Sequence, residues 1–305
     1  MAGRRGVIIG VLAWLATAGI VTSWQLATRW GVTTSLTPLD LALLRYSIPG
    51  LIFAPLFWSR GTFAADRPRW TTALIVFGGG LPFGLLGMAG AQFAPAAHMG
   101  ALLPGSMPLF VAVLSAIILG ERYDRMRLTG LVLIVLSVFC ITGGTLVDGL
   151  GPATALGDGL FLLAGVSWAI YTVAFRQSGL DAWHAAAIIC GWSTLLVVPL
   201  WYLSPGTGLW GAPRPDILVQ VVVQGLLAGV LGMVVFGLAV TRLGPSATAL
   251  SGAVVPAATA IGGWLFLGEG IAASTLAGIL IMVAGLVAFT LGKATKAAAP
   301  LDQTA

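Results

Sequence analysis

LLPGSMPLFVAVLSAIILGER at positions 102–122 and LSGAVVPAATAIGGWLFLGEG at positions 250–270 are two versions of one segment. Each version carries a proline near the middle of an apolar run, Pro108 in the first and Pro256 in the second. Each run ends in Leu-Gly-Glu, and further identities continue at the same offset on both sides. The chain therefore contains an internal duplication.

The composition indicates the solvent in which the chain folds. Of its 305 residues 58% are hydrophobic and 8% are charged, and the mean hydropathy is +1.00. So few charges cannot cover a water-soluble globule, and the composition predicts an all-α membrane protein. The net charge is +5, but the basic residues are scattered between apolar runs, which excludes a phosphate-tracking stripe and a nucleic-acid partner.

Apolar stretches of the length that a helix needs to cross a membrane occur ten times. The predicted spans are residues 7–28, 38–58, 70–93, 96–119, 126–145, 156–176, 183–203, 216–241, 246–267 and 271–291. Basic residues of short loops stay on the cytoplasmic side. With both termini cytoplasmic, only Arg29 and Arg214 fall in outer segments. The pattern predicts a multi-pass protein of the cell (inner) membrane.

The duplication covers the whole set of spans. Ser23-Trp24 in the first span corresponds to Ser167-Trp168 in the sixth, so the repeated unit has five helices. Because five is odd, the second copy enters the membrane in the opposite orientation, as in many carriers that work by alternating access. The predicted units are residues 1–148, an inverted copy at 149–292, and a disordered cytoplasmic tail at 293–305.

These features resemble the EamA-type carriers of the drug/metabolite transporter superfamily. The resemblance rests on the two five-helix repeats, Pro38 followed by Arg45 in the second helix, Ser-Trp in the first helix of each half, and the Leu-Gly-Glu helix ends. It implies ten helices around a cavity lined mainly by the third, fourth, eighth and ninth helices, with parts of the first and sixth.

The resemblance further implies a secondary transporter that exports a small organic metabolite, such as an amino acid or a related amphipathic compound, by alternating access. A multidrug or other metabolite permease of the same architecture is the alternative. The expected partners are the substrate and the lipid bilayer, and the expected assembly is a monomer or a weak homodimer. No cofactor is expected.

Two other classes of function lack their sequence signals. The chain has no HExxH, GxSxG or histidine cluster, so it shows no catalytic or metal-binding motif of a membrane-embedded enzyme. Rings of charge or a repeated filter loop, which an ion channel needs, are also missing. We therefore predict neither a catalytic nor a metal-binding residue.

Polar and aromatic residues inside the spans are the candidates for binding substrate, because lipid offers them no partner. Arg45 is either an anchor for a substrate carboxylate or a structural cation that pairs with helix-end carbonyls or with Asp40. Asp40 itself fits a helix start, because it follows Thr37 and Pro38. The candidate substrate-binding residues are Trp24, Gln25, Arg45, Gln92, His98, Trp168, Tyr171 and Gln224.

The acidic residues argue against proton coupling. Glu121 and Glu269 lie at helix junctions, where we expect each to bind backbone donors at the start of the following helix. We predict no other carboxylate inside a span. Facilitated diffusion remains, or coupling through His98 or the substrate. His98 would bind substrate, titrate, or simply be hydrated at the membrane boundary.

Prolines within the spans are candidate hinges, because proline removes a backbone donor and crowds the carbonyl one turn earlier. Pro108 and Pro256 recur at repeat-related depth, and Pro104 adds a second position in the fourth helix. The alternative is a packing kink without a role in motion, because membrane helices tolerate proline.

Overall fold

The chain is almost entirely helical in the computed structural model, which describes residues 4–65, 67–244 and 250–296. The elements in chain order are α1 (Arg4–Thr34), α2 (Pro38–Ser59), α3 (Arg69–Gly79), α4 (Leu81–Phe93), α5 (Ala96–Leu119), β1 (Glu121–Tyr123), α6 (Arg125–Val147), α7 (Gly151–Ser178), α8 (Ala182–Leu203), α9 (Arg214–Gln220), the π-helical segment π1 (Val221–Leu231), α10 (Gly232–Leu243), α11 (Ser251–Leu267), α12 (Ala273–Leu291) and β2 (Ala294–Lys296).

Within the described residues, nine helical segments are long and apolar enough to cross a membrane. The predicted ninth span, residues 246–267, is represented by α11, an apolar helix shorter than the others. The start of that span falls among residues 245–249, which lie outside the described residues. The structure therefore confirms an all-helical, multi-spanning chain, and a tenth crossing stays a prediction.

Two predicted spans contain interruptions. The third is divided at Gly80, whose φ of −102° and ψ of −142° separate α3 from α4. Tyr46 donates a hydrogen bond from its hydroxyl to the Gly80 carbonyl at 2.5 Å, so the break is satisfied inside the protein. The eighth span continues from α9 through π1 into α10. The hydropathy pattern predicted neither interruption, because the sequence remains apolar across both of them.

Side-chain caps define the starts of several helices. Thr37 and Asp40 form a capping box at the start of α2, as the sequence predicts, an arrangement that contributes about 1 kcal/mol. Asp124 accepts from the Arg127 amide at 2.8 Å at the start of α6. The backbone donors of Arg127 and Lys293 hold the pKa of Asp124 below its usual value.

Each half of the chain packs against its repeat-related counterpart. The pairs in contact are α2 with α8, α5 with α11, and α6 with α12. In the last pair, Gly130 of α6 meets Gly285 and Phe289 of α12, and Gly278 of α12 meets Ile141 of α6. Gly130 and Gly278 are equivalent in the duplication, so one close approach occurs at each end of the same helix pair.

A short antiparallel two-stranded sheet joins β2, which follows the last helix, to β1, which precedes α6. Glu121 of β1 pairs with Lys296 of β2, and Tyr123 pairs with Ala294. The prediction of a disordered tail is therefore wrong for residues 294–296, because the β1 backbone offers them hydrogen-bond partners. Residues 297–305 lie outside the described residues.

The core lies in the middle of the bundle, and the outer faces of the helices carry large apolar side chains. Trp24, Phe83 and Phe161 belong to the main buried cluster. By contrast, Ile117 is 75% exposed and Phe139 is 69% exposed. Such extensive exposed apolar surface fits contact with lipid.

We expect Gly130→Ala to lower the melting temperature of the detergent-solubilised protein. A Cβ at this position would lie 2.7 Å from the Gly285 carbonyl oxygen, with the Phe289 backbone also in contact, so α6 and α12 would have to separate. Gly143→Ala is the control in the same helix, because nothing lies within 4 Å of its added Cβ. That substitution should stabilise by about 0.5–1 kcal/mol. Equal melting temperatures for the two variants would contradict the packing.

Candidate functional site

A group of buried polar side chains lies around the middle of α1. Trp24 precedes the end of α1 by about 15 Å, which is half the thickness of the hydrocarbon core. Gln25 is fully buried, and its Oε1 accepts from Thr259 of α11 at 2.6 Å. One turn along α1, Thr28 accepts from Nε2 of Gln224 in π1 at 2.9 Å. These contacts join α1 to two helices of the second half.

Arg45 reaches this group from α2. Its Cζ lies 4.6 Å from the centroid of the Trp24 ring, a cation–π arrangement. The Asp40 carboxylate is not its partner, because Asp40 accepts from Trp201 at 2.7 Å and from the Gly208 amide at 2.8 Å. The structural pairing of Arg45 with Asp40 that the sequence allowed is therefore wrong.

Several polar atoms of this group have no hydrogen-bond partner although they are buried. We call Trp24, Gln25, Arg45 and Gln224 the central polar cluster. Its unpartnered atoms are Nε1 of Trp24, Nε2 of Gln25, Nε and Nη1 of Arg45, and Oε1 of Gln224. Four of these five atoms are nitrogens that donate. An unsatisfied buried donor costs about 1–3 kcal/mol, so acceptor oxygens placed against these atoms would stabilise the cluster.

A row of aromatic rings extends from the central polar cluster. Phe83 of α4 lies between the two repeat-related tryptophans, 6.5 Å from the Trp24 ring and 5.1 Å from the Trp168 ring. Tyr171 follows at 4.9 Å from Trp168, and Phe175 at 5.7 Å from Tyr171. The row supplies apolar and aromatic surface beside the donors.

Two predicted binding residues lie elsewhere. Gln92 is exposed, and its carbonyl accepts from Arg29 at 3.2 Å, so it does not join the central polar cluster. His98 is buried near the same end of the bundle, with Nδ1 2.8 Å from Asp158 and Nε2 2.9 Å from Thr275. It is not a hydrated ring at the membrane boundary.

Asp158 corrects the prediction that no further carboxylate falls inside a span. It lies in α7 and is 1% exposed, and Thr145 donates to its Oδ2 at 3.0 Å. The acid sits inside the sixth predicted span, and the sequence analysis overlooked it. The argument against a buried acid is therefore wrong.

Ion pairs close both ends of the bundle. At one end, Arg29 of α1 contacts Glu269 at 2.6 Å. At the other end, Arg176 of α7 pairs with Glu121. The two glutamates are equivalent in the duplication, and their arginines both lie near the ends of the first helix of each half. We call these regions the Glu269 end and the Glu121 end.

The glutamates do not bind the start of the following helix as predicted. Glu269 accepts at 2.7 Å from the Ala96 amide at the start of α5, which is far earlier in the chain. Glu121 accepts from the Tyr123 hydroxyl at 3.1 Å. The prediction failed because the folded chain brings an arginine to each carboxylate, and it also brings the start of α5 to Glu269.

The environment of Glu121 shifts its titration. Partial burial raises its pKa, but hydrogen bonds from Arg176 and Tyr123 outweigh the burial, and the net pKa lies below its usual value. The same contact acts in the opposite direction on Tyr123. Burial and the adjacent Glu121 carboxylate raise the pKa of Tyr123 to about 12.

The predicted hinge prolines lie within continuous helices. Pro104 and Pro108 are inside α5, and Pro256 is inside α11. α5 and α11 pack against each other, and Thr259, one turn after Pro256, holds Gln25. The prolines therefore lie on the two helices that connect the central polar cluster to the Glu121 and Glu269 ends.

Two surface grooves border α3, and they differ from the central polar cluster in chemistry. One, of about 360 Å³, lies beside Phe77 and Trp192. The other, of about 520 Å³, lies beside Trp70 and Ile118. Their walls are mostly apolar. The unpartnered donors favour the central polar cluster as the functional site.

Three charged residues that bind other side chains in the structure were not predicted from the sequence. Arg29, Arg176 and Asp158 were not among the candidates, although all three are charged residues within predicted spans or next to them. Arg29 and Arg176 each follow a repeated Ser-Trp pair by less than three turns but not at equivalent positions, so the available signal was only a basic residue near the end of the first helix of each half. Thr259 carried no signal, because threonine is common in membrane helices.

We expect acid to weaken the Glu121–Arg176 pair. A carboxyl with a lowered pKa in the folded protein stabilises above its ordinary value near 4.5, and this contribution is lost as the pH falls through the folded pKa. The melting temperature of the wild type should therefore fall more steeply below pH 4.5 than that of Glu121→Gln. Arg176→Gln removes the same pair from the other side, and it should flatten the curve in part, because the Tyr123 hydroxyl still donates to Glu121. Parallel curves for all three proteins would refute this contribution.

Comparison with known proteins agrees with this architecture. A model of the EamA-like transporter family matches the chain twice, over residues 7–143 and 155–291. An uncharacterized transporter of Archaeoglobus fulgidus is 27% identical over 256 residues, which cover 82% of this chain and 87% of that protein. The uncharacterized transporter YvbV of Bacillus subtilis is 28% identical over 289 residues, which cover 90% of this chain and 92% of that protein.

The fold also resembles that of a solved crystal structure. The match has a TM-score of 0.60 and covers 95% of this chain and 99% of that chain. Sequence identity is 18%, so the likeness shows the fold alone.

Proposed function

The chain belongs to the EamA-like transporter family, and from this premise we propose that it exports a small metabolite that carries a carboxylate. Amino acids and related amphipathic compounds fit best. The proposed mechanism is alternating access of the central polar cluster to the two sides of the inner membrane. The proposed repeat units are residues 1–148 and 149–292.

The observation that carries this proposal is the set of unpartnered donors in the central polar cluster. A guanidinium inside a membrane costs about 2.5–3.5 kcal/mol on the insertion scale, and Arg45 has no carboxylate partner in the described part of the chain. Hydrogen bonds to charged groups contribute about 1.5–3 kcal/mol. A substrate carboxylate would satisfy Arg45 and the neighbouring Trp24 and Gln25 donors, and the unpartnered Gln224 oxygen would accept from a substrate amine.

The aromatic row supports an amphipathic substrate. Phe83 and Trp168 flank the donors with apolar ring faces, which suit the side chain of an amino acid or an aromatic compound. The same row favours the second candidate, a permease for apolar drugs or other metabolites. The two candidates differ in whether transport requires the carboxylate.

Alternating access is supported by the closed site and the matched ends. Trp24 is 5% exposed, and Gln25 and Gln224 are 0% exposed, so a substrate reaches them only after one end opens. An ion pair joins the halves at each end, and the inverted duplication makes the two ends equivalent. Opening would break the pair at one end while the other persists. We place the Glu121 end in the cytoplasm, because the basic residues concentrate there.

Arg45→Met should abolish discrimination between a substrate acid and its amide. The assay is counterflow in proteoliposomes with a panel of L-amino acids and their primary amides. The wild type should favour the acids by about 10–100-fold in apparent affinity, because a charge-assisted hydrogen bond is lost with the amide. In Arg45→Met this ratio should approach one.

The control for Arg45→Met is Arg69→Met. Arg69 also lies over an aromatic ring, 5.4 Å from the centroid of Phe63, but it is exposed at the start of α3. It should retain the wild-type ratio. A wild type that transports amides and acids equally would favour the drug permease, linear flux without counterflow would indicate a channel, and conversion of the compound would indicate an enzyme.

Pro108→Ala and Pro256→Ala should slow transport more than they lower the amount of folded protein. Alanine restores the missing backbone hydrogen bond and stiffens the helix. Rates are compared per folded molecule in proteoliposomes. Pro55→Ala is the control, because Pro55 is an exposed proline inside α2. Unchanged rates in both hinge variants would exclude the hinge role.

A further inference from the structure

A second buried polar group lies at the Glu269 end, apart from the central polar cluster. His98 of α5 binds Asp158 of α7 through Nδ1 at 2.8 Å and Thr275 of α12 through Nε2 at 2.9 Å. Thr145 of α6 donates to the second oxygen of Asp158 at 3.0 Å. Four helices thus contribute one side chain each, and the His98 and Asp158 side chains are both 1% exposed.

The geometry of this group accepts both charge states of the histidine ring. In the neutral ring, Nδ1 donates its proton to Asp158, and Nε2 accepts from the Thr275 hydroxyl. When a further proton binds Nε2, that nitrogen donates, and the Thr275 hydroxyl turns to accept. No heavy atom has to move, and no hydrogen bond to the ring is lost.

The charge balance favours the proton-bound form while the group is buried. An ionised Asp158 beside a neutral His98 leaves one net negative charge out of water, which is costly. The added proton converts the pair to imidazolium and carboxylate with no net charge. Opening the Glu269 end would admit water, and water stabilises the deprotonated form by solvating the carboxylate.

The charged groups of the surrounding elements do not replace this proton. Glu269, next to α12, accepts from the Ala96 amide two residues before His98, and its charge is matched by Arg29 of α1 at 2.6 Å. Asp148, at the end of α6, is exposed and accepts from Ser274 of α12. Within the described residues, no lysine or arginine forms an ion pair with Asp158.

We propose that His98 and Asp158 form a proton-binding site, loaded when the Glu269 end is closed and emptied to water on that side when it opens. The proposal rests on the alternating access proposed above. Each closure takes up one proton at Nε2 of His98, and each opening releases it as hydronium. Acid on that side therefore favours the closed arrangement, and alkali favours the open one.

The first test measures ring protonation without transport. Exchange of the histidine C2 hydrogen for deuterium, followed by mass spectrometry, reports the protonation of each ring in the solubilised full-length chain between pH 4 and 10. In Asp158→Asn, His98 should lose its proton at a lower pH than in the wild type, because the variant lacks the carboxylate that contacts the protonated ring. His184, whose Nε2 contacts the Gly61 carbonyl, should titrate identically in both proteins.

Thr275→Val provides a second variant if Asp158→Asn does not fold. It keeps the shape of the side chain but removes the oxygen that accepts from the protonated ring, so His98 should again lose its proton at lower pH. Unchanged titration of His98 in the folded variants would overturn the proton site.

The second test measures coupling. The counterflow rate of the wild type should change at least about fivefold between pH 6 and pH 8 on the Glu269 side, because one bound proton separates the two arrangements. Asp158→Asn should be nearly independent of pH. Transport that ignores pH in both proteins would overturn the coupling and leave the carrier intact. If no compound is transported, the titration of His98 still decides the proton site.

Discussion

Hydrocarbon offers no hydrogen-bond partner, and this constraint determines where every interior polar group of this protein lies. Gln25 and Gln224 obtain threonine partners from other helices, and Asp158 obtains His98 and Thr145. The largest concentration of exceptions is the set of donors around Arg45 and Trp24, which remain unpartnered, although single unpartnered polar atoms also occur elsewhere in the described residues, for example on Ser106. Because buried polar groups are normally hydrogen-bonded, we propose that this concentration of donors marks a place for a ligand.

Because the duplication is inverted, the same helix terminus and ion pair occur at two opposite ends of the bundle. The same Leu-Gly-Glu helix terminus places Glu121 at one end and Glu269 at the other, and an arginine from the first helix of the other half pairs with each. The glycines that let α6 and α12 approach are duplicated in the same way. The tendency to close is therefore built into both ends, and competition between two similar closures is what alternating access requires.

The two halves differ at the charged residues to which we assign binding roles. Arg45 lies in α2 and contacts the first-half tryptophan rather than Trp168. The pair of His98 and Asp158 occurs at the Glu269 end, and the sequence has Ser246 and Trp14 at the repeat-related positions. In the proposed mechanism, symmetry supplies the motion, and the departures from symmetry supply the proposed affinities for substrate and for protons.

The sequence by itself determined the solvent, the helical class, the duplication and the family resemblance, because hydropathy and repeat spacing are local properties of the chain. It also selected Trp24, Gln25, Arg45 and Gln224, because an interior polar residue in a span is conspicuous. Only the tertiary structure decided which side chains pair with one another. Glu269 contacts Arg29, which is 240 positions away in the chain, and His98 of α5 contacts Asp158 of α7. Those pairings depend on which helix faces meet, and no local pattern encodes that choice.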